Sequence, residues 1–456
     1  MELEITPIFL LTLICFARCI EIQDEQLESS SKSTTTQNHV DIADAVNEFG
    51  YKLTLTMMKE AKDQNIVISP TSVAGLLAMT LLGTVGKTHE ELVAALGFSQ
   101  DILENRRNHE HFGGLLQSLN TYDSSSKTLY ADVMFVDTRS RIRDLYRDYL
   151  HRVYNGEALS VDFTKALEVK DMINQWVDSH TEGKIENFLL KTLPVSTKAV
   201  LLSALYFRGQ WKHPFAEGLT NKMNFTRPSN TIVLSDLMVV GGNFRYTLSE
   251  DNTFHIVALP YNDSITTLYA IQPYGRRNRR ATLQDLLTRL TYSKINQAIE
   301  NMKTEECVIR FPKMDLKNQA KLEDHLKALG IQSMFIPGQA NFALMVDSNI
   351  IPNNTTEEIL SRITGDARDE ARAIDDSRNV KEVLGGLPNP GIHVDSVIHD
   401  VKLTINEYGT EAVAATSGVL ARTAKSFLMN SPFYMFIRNE KTKLITFGGV
   451  INDPTA

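Results

Sequence analysis

Disulfide chemistry, a membrane span and a basic surface are all missing from this chain of 456 residues. Its cysteines number three, Cys15, Cys19 and Cys307, and the first two lie in a stretch with the marks of removal. Pro7–Phe16 (PIFLLTLICF) is a ten-residue apolar run, too short to span a bilayer. Small residues at Ala17 and Cys19, followed by the polar stretch Glu21–Glu28, complete the pattern of a secretory signal peptide cleaved after Cys19. The leading MELEIT departs from that pattern, because it carries Glu2 and Glu4 and no basic residue. Residues 1–19 are therefore expected to be removed and the product to be secreted and extracellular. Cys307 is then left alone, and a core of this size needs no disulfide.

Charge excludes another class. Lys and Arg total 47 against 55 Asp and Glu, a net −8, so the electrostatic footprint of a nucleic-acid binder is absent. No later apolar run reaches the ~18 residues of a membrane helix. Metal chemistry is poorly provided for. The 11 histidines are scattered, His109-Glu110-His111 lacks the i, i+4 spacing of a helical zinc site, and Cys307 sits in the strand-like, packed run Cys307-Val308-Ile309-Arg310-Phe311. No metal and no cofactor are expected. A hydrolase is disfavoured by the lack of a G-x-S-x-G elbow and of H-E-x-x-H. Gly83–Thr88 imitates the end of a phosphate loop, but Leu81 stands where the first glycine is needed.

What is present reads as one α+β domain. Val46, Phe49, Leu53 and Met57 share a helical face, Ile66-Val67-Ile68 reads as a short strand, and SVAGLLAMTLLG from Ser72 reads as a buried helix ending at Gly83. Thr88 is expected to cap a helix over His89–Leu96, with Glu91 as its capping-box partner and Gly97 closing it. Val200–Phe207 (VLLSALYF) has the unbroken apolar character of a central strand. Ile256–Pro260 and Leu268–Ile271 form a hairpin, as do Phe433–Ile437 and Leu444–Phe447. Helices concentrate early and strands late, without βαβ alternation. Residues 20–41, with the polar run Ser29–Thr36, read as a disordered tail. The charge-dense stretch 348–387 reads as a solvated insertion.

Surface features are fewer. Four sequons mark glycosylation candidates, at Asn224, Asn262, Asn353 and Asn354. Arg276, Arg277, Arg279 and Arg280 fall within five residues; they read as a solvated loop, a patch for a heparin-like polyanion, or a dibasic processing site.

Ordered motifs then point to a family. Asn65–Ser72 (NIVISPTS), Leu82–Thr88 (LGTVGKT), Ser203–Trp211 (SALYFRGQW), Phe311-Pro312-Lys313, Val397-Ile398-His399, Glu407–Ala412 (EYGTEA), Ser431-Pro432-Phe433 and Phe447-Gly448-Gly449-Val450 together resemble the serpins over about residues 42–453. The resemblance implies a single domain of three β-sheets and eight or nine helices, with an exposed reactive loop at 409–427. It places Ser69, Ser72, Ser203 and His399 in a polar shutter beneath the central sheet. Ser203 stands where the family usually has Asn and reaches less far. Asp400 stands where the family usually has Lys, and the 348–387 stretch has no counterpart.

The implied activity is irreversible trapping of a serine protease. The protease cuts the loop, the loop's proximal half inserts into the main sheet, and the tethered enzyme is distorted by the release of stored strain. The local sequence permits insertion. From Gly409 the loop reads GTEAVAATSGVLARTAKS, and alternation turns Thr410, Ala412, Ala414, Thr416 and Gly418 inward, all of them small, while Glu411, Val413 and Ala415 face out. Family register lands the scissile position on Thr423. Arg422, one residue earlier, and Lys425 are the side chains an acidic primary pocket selects. The expected cut is Arg422–Thr423, by a trypsin-like protease acting on a monomeric inhibitor. A non-inhibitory carrier, chaperone or storage serpin is the competing reading.

Overall fold

Nine α-helices are found among the described residues. The computed structural model describes residues 41–101, 104–119, 125–275, 281–347, 384, 387–408 and 424–456. Helix α1 (Ile42–Ala61) buries Val46, Phe49, Leu53 and Met57, the predicted face. Helix α2 (Pro70–Leu82) starts on Ser69, whose Oγ accepts the Ser72 N–H at 3.1 Å, has Pro70 in its first turn, and ends at Gly83. All of its residues are buried, in keeping with a helix that is apolar on every side and carries no charge.

Helix α3 (Gly86–Leu96) corrects an expectation. It begins before Thr88, at Val85, with no side-chain cap, although Gly97 closes it in the left-handed conformation as expected. Thr88 instead accepts the Asn341 N–H at 3.1 Å, and Glu91 accepts from the Gln332 and Ser333 amides at 2.8 and 2.7 Å. A distant chain segment needed those acceptors more than the helix end did. Helices α4 (Asn105–Leu119), α5 (Asp144–Tyr154), α6 (Ala166–His180), α7 (Leu283–Arg289), α8 (Tyr292–Glu300) and α9 (Glu323–Ala328) complete the set.

The sheet that matters most has five strands. Across it run β10 (Met314–Lys321), β11 (Ser396–Ile405), β4 (Ala199–Gly209), β2 (Ser126–Asp137) and β3 (Glu157–Val161). Strand β4 is its centre, buried along almost its whole length. It pairs antiparallel with β2 and parallel with β11, so that Ser203 stands beside both Asp132 and His399. One face packs Val200, Leu202 and Ala204 against Val169, Ile173 and Val177 of α6. Leu201 and Met134 join the core cluster that contains α2.

The remaining strands are β1 (Ile66–Ile68), β5 (Asn221–Thr226), β6 (Ile232–Leu248), β7 (Phe254–Pro260), β8 (Thr266–Pro273), β9 (Lys303–Pro312), β12 (Lys425–Leu428), β13 (Phe433–Asn439) and β14 (Ile445–Ile451). They form one ladder, β1-β14-β13-β8-β7-β6-β9-β12, with β5 also on β6. Two of the three expected sheets run together here because β6 is long enough to serve both. It pairs β5 through Ile232–Leu237, β9 through Leu237–Tyr246 and β7 through Tyr246–Leu248.

The stretch 348–387 lies outside the described residues except at Leu384 and Leu387. Both leucines are buried in the core cluster of α1 and α2. The expected solvated segment therefore does not reach 387: its C-terminal end is tied down by apolar burial.

Candidate functional site

Ser69, Ser72, Ser203 and His399 come from three elements and meet behind the five-stranded sheet. All four are fully buried. The Ser69 N–H donates to His399 Nε2 at 2.8 Å. An imidazole that accepts at Nε2 while neutral carries its proton on Nδ1, which lies 3.0 Å from Ser203 Oγ and donates to it. Burial pushes His399 down to about 3, so the ring is neutral. Ser203 Oγ lies 2.8 Å from Ser72 Oγ, and Ser72 Oγ donates to Asp132 Oδ1 at 2.7 Å. Serine at 203, with a shorter reach than the usual Asn, still bridges β4 to both β11 and α2.

Asp132 is the member that sequence reasoning missed. It faces Ser203 across the ladder and accepts from the hydroxyls of Ser72 and Ser203. The available signal was a single carboxylate in the apolar run Tyr130–Val136, on the face shared by Met134 and Val136. Asp400, on the opposite face, is buried and accepts from Gln319 Nε2 at 3.1 Å. Burial raises its carboxyl above the ordinary range.

A second cluster pins the chain just before the loop. Beyond β11 the Trp211 and Phe215 amides donate to the Tyr408 and Glu407 carbonyls at 3.0 and 2.8 Å. The Trp211 indole donates to the Asn406 carbonyl at 2.9 Å and stacks on Tyr261. The Glu407 carboxylate takes Lys313 Nζ at 3.0 Å and the Thr220 hydroxyl at 2.9 Å. Burial opposes its charge, yet hydrogen bonds from its own backbone, Lys313 and Thr220 hold it below the usual carboxylate range. Lys313 and Glu407 are 94 positions apart, and no spacing rule pairs them.

At the far end β12 lies parallel to β9, with Lys425 opposite Cys307 and Leu428 opposite Arg310. Cys307 is buried, and burial pushes its thiol up to about 11, which leaves it a packed, unreactive residue. Asn224 and Asn262 are exposed. Gly409, Thr410, Glu411, Ala412, Val413, Ala414, Ala415, Thr416, Arg422 and Thr423 lie outside the described residues, as do Arg276–Arg280, Asn353 and Asn354. Among the described residues no group of three or more His, Cys, Asp or Glu could hold a metal ion, and no helix is long and apolar enough to cross a membrane.

A family model described as "Serpin (serine protease inhibitor)" matches residues 44–454. The chain belongs to the serpin family. Serine protease inhibitor 28Dc of Drosophila melanogaster is 27% identical to this serpin over 430 residues, covering 87% of this chain and 77% of that one. Intracellular coagulation inhibitor 2 of Tachypleus tridentatus is also 27% identical, over 429 residues covering 92% and 93%. Among solved structures, human thyroxine-binding globulin complexed with thyroxine superposes with a TM-score of 0.75 at 19% identity, covering 91% of this serpin and 99% of that chain. The α+β fold is thus shared by proteins named as inhibitors and by one named for binding thyroxine.

Proposed function

We propose that this serpin is a secreted suicide-substrate inhibitor of an extracellular trypsin-like serine protease. The observation that carries the reading is the direct parallel pairing of β4 with β11. The chain leaves β11, is pinned at Glu407 and Tyr408, and returns into β12. A strand folded back from Gly409 beside β11 would run antiparallel to it. Because β4 is parallel to β11, that strand would run antiparallel to β4 as well. One parallel ladder is exchanged for two antiparallel ones, the slightly stronger kind.

In the reaction the protease's serine oxygen attacks the Arg422 carbonyl carbon. The Arg422–Thr423 bond breaks, Thr423 leaves with a proton from the protease's histidine, and Arg422 stays joined to the enzyme as an ester. Insertion of Thr410, Ala412, Ala414, Thr416 and Gly418 on the inner face then outruns hydrolysis. Lys425 is the weaker candidate, since its backbone is already in the β12–β9 ladder.

A carrier or storage role competes, since fold alone does not separate it from inhibition. A denaturing gel after mixing with trypsin decides. Inhibition predicts a complex stable to SDS that is lost in Arg422→Ala and kept in Lys425→Ala. Simple loop cleavage without complex would leave the carrier reading.

A further inference from the structure

The bond that crosses the β4/β11 seam on the buried face is His399 to Ser203, and its direction is fixed. Ser69 claims Nε2, so Nδ1 must donate to Ser203. Ser203 can then give its own proton only onward, to Ser72 or Asp132, and the Ser72 proton goes to Asp132. Every donor in the chain points towards one carboxyl. We infer that Asp132 is a positioning residue of this seam: its carboxyl is the terminal acceptor of the hydrogen-bond chain, and its charge sets how readily β4 and β11 part. The inference rests on the inhibitory reading only for its use, since that reading requires the seam to open.

Among the described residues no cation offsets Asp132. Helix α2, packed behind it, carries no charged side chain, and across Gly75 its neighbour on α4 is Leu116. The titratable groups that face it are His399, through Ser203, and Tyr130 on its own strand. The first is held neutral and burial keeps the phenol of the second protonated. Some solvent still reaches Asp132. Burial nonetheless raises its carboxyl to about 7, against hydrogen bonds from Ser72 and Ser203 that pull it down.

The sign of the effect follows from which state hydrates the carboxyl. Parting β4 from β11 frees Ser203 from His399 and admits water, which returns Asp132 towards its ordinary value near 3.8. The parted state then binds fewer protons than the closed one between those two values. Raising pH through neutrality therefore favours opening, and lowering it favours closure. Linkage gives up to about tenfold more opening at pH 8 than at pH 6.

Hydrogen–deuterium exchange of the full chain tests this without a protease. After correction for intrinsic rates, amides of β4 and β11 around Ser203 and His399 should exchange up to about tenfold faster at pH 8 than at pH 6. Amides of β8 and β13 should show no such step. Asp132→Asn should flatten the step, and Ser72→Ala, which removes a donor to the charged form, should move its midpoint upward. A wild-type profile without the step, the same step in Asp132→Asn, or an unmoved midpoint in Ser72→Ala overturns the inference. Failure to trap trypsin while the step is present would instead remove the inhibitory reading alone.

Discussion

Ser203 carries more than its size suggests, because two buried partners depend on it. Ser203→Ala leaves the His399 Nδ1–H with no acceptor at 3.0 Å and removes a donor from the Asp132 chain. A buried donor left unpaired costs about 1–3 kcal/mol. The expected result is a lower urea midpoint with an unchanged slope, and an unshifted midpoint would show that the chain does not bear on stability. Residue identity alone was a fair guide to this site. The four shutter positions could be placed from motifs, whereas Asp132 could not, since a lone carboxylate in a strand reads equally well as an exposed residue. The same limit hid the ion pair of Glu407, whose charge is held by Lys313 just before β10.

At the level of elements, the hinge and the sheet it would enter set opposite demands. The inward positions from Thr410 must be small, because in the sheet they would face the cores packed against it. Thr410→Arg should convert the protein from inhibitor to substrate, by forcing a charge out of water. Quantified gels should show cleaved monomer replacing complex, and retained complex at full yield would remove this account of the hinge. Elements with strong periodicity were legible in advance: α1, α2, β4 and both hairpins lie where spacing put them. Those decided by distant partners were not. Thr88 and Glu91 spell a helix cap, yet their oxygens are taken by Ser333 and Asn341. Strand β6 is not singled out in the sequence, and its length is set by three partners, β5, β9 and β7.

For the whole molecule, the proposed inhibitory reading requires that a further strand between β4 and β11 would give a better-bonded arrangement than their direct parallel contact. Inserting a strand adds a set of hydrogen bonds worth ~1 kcal/mol each, large beside the ~5–15 kcal/mol that hold a typical domain. Loop-cleaved protein should therefore melt well above intact protein by calorimetry, and equal melting temperatures would count heavily against a metastable inhibitor.

Cutting between Arg422 and Thr423 also changes how many molecules the protein is. The piece from Thr423 to Ala456 holds β12, β13 and β14, and it is not peripheral. Strand β13 lies between β14 and β8, and β14 in turn pairs with β1 from the start of the domain. Phe433, Met435, Ile437 and Phe447 are buried in the core cluster there. The short chain cannot diffuse away without dismantling that ladder, so the cut product is a non-covalent heterodimer, one long chain wrapped on one short one. It should travel as a single species on a sizing column and split only in denaturant. A short peptide eluting by itself under native conditions would contradict the β13 position described above.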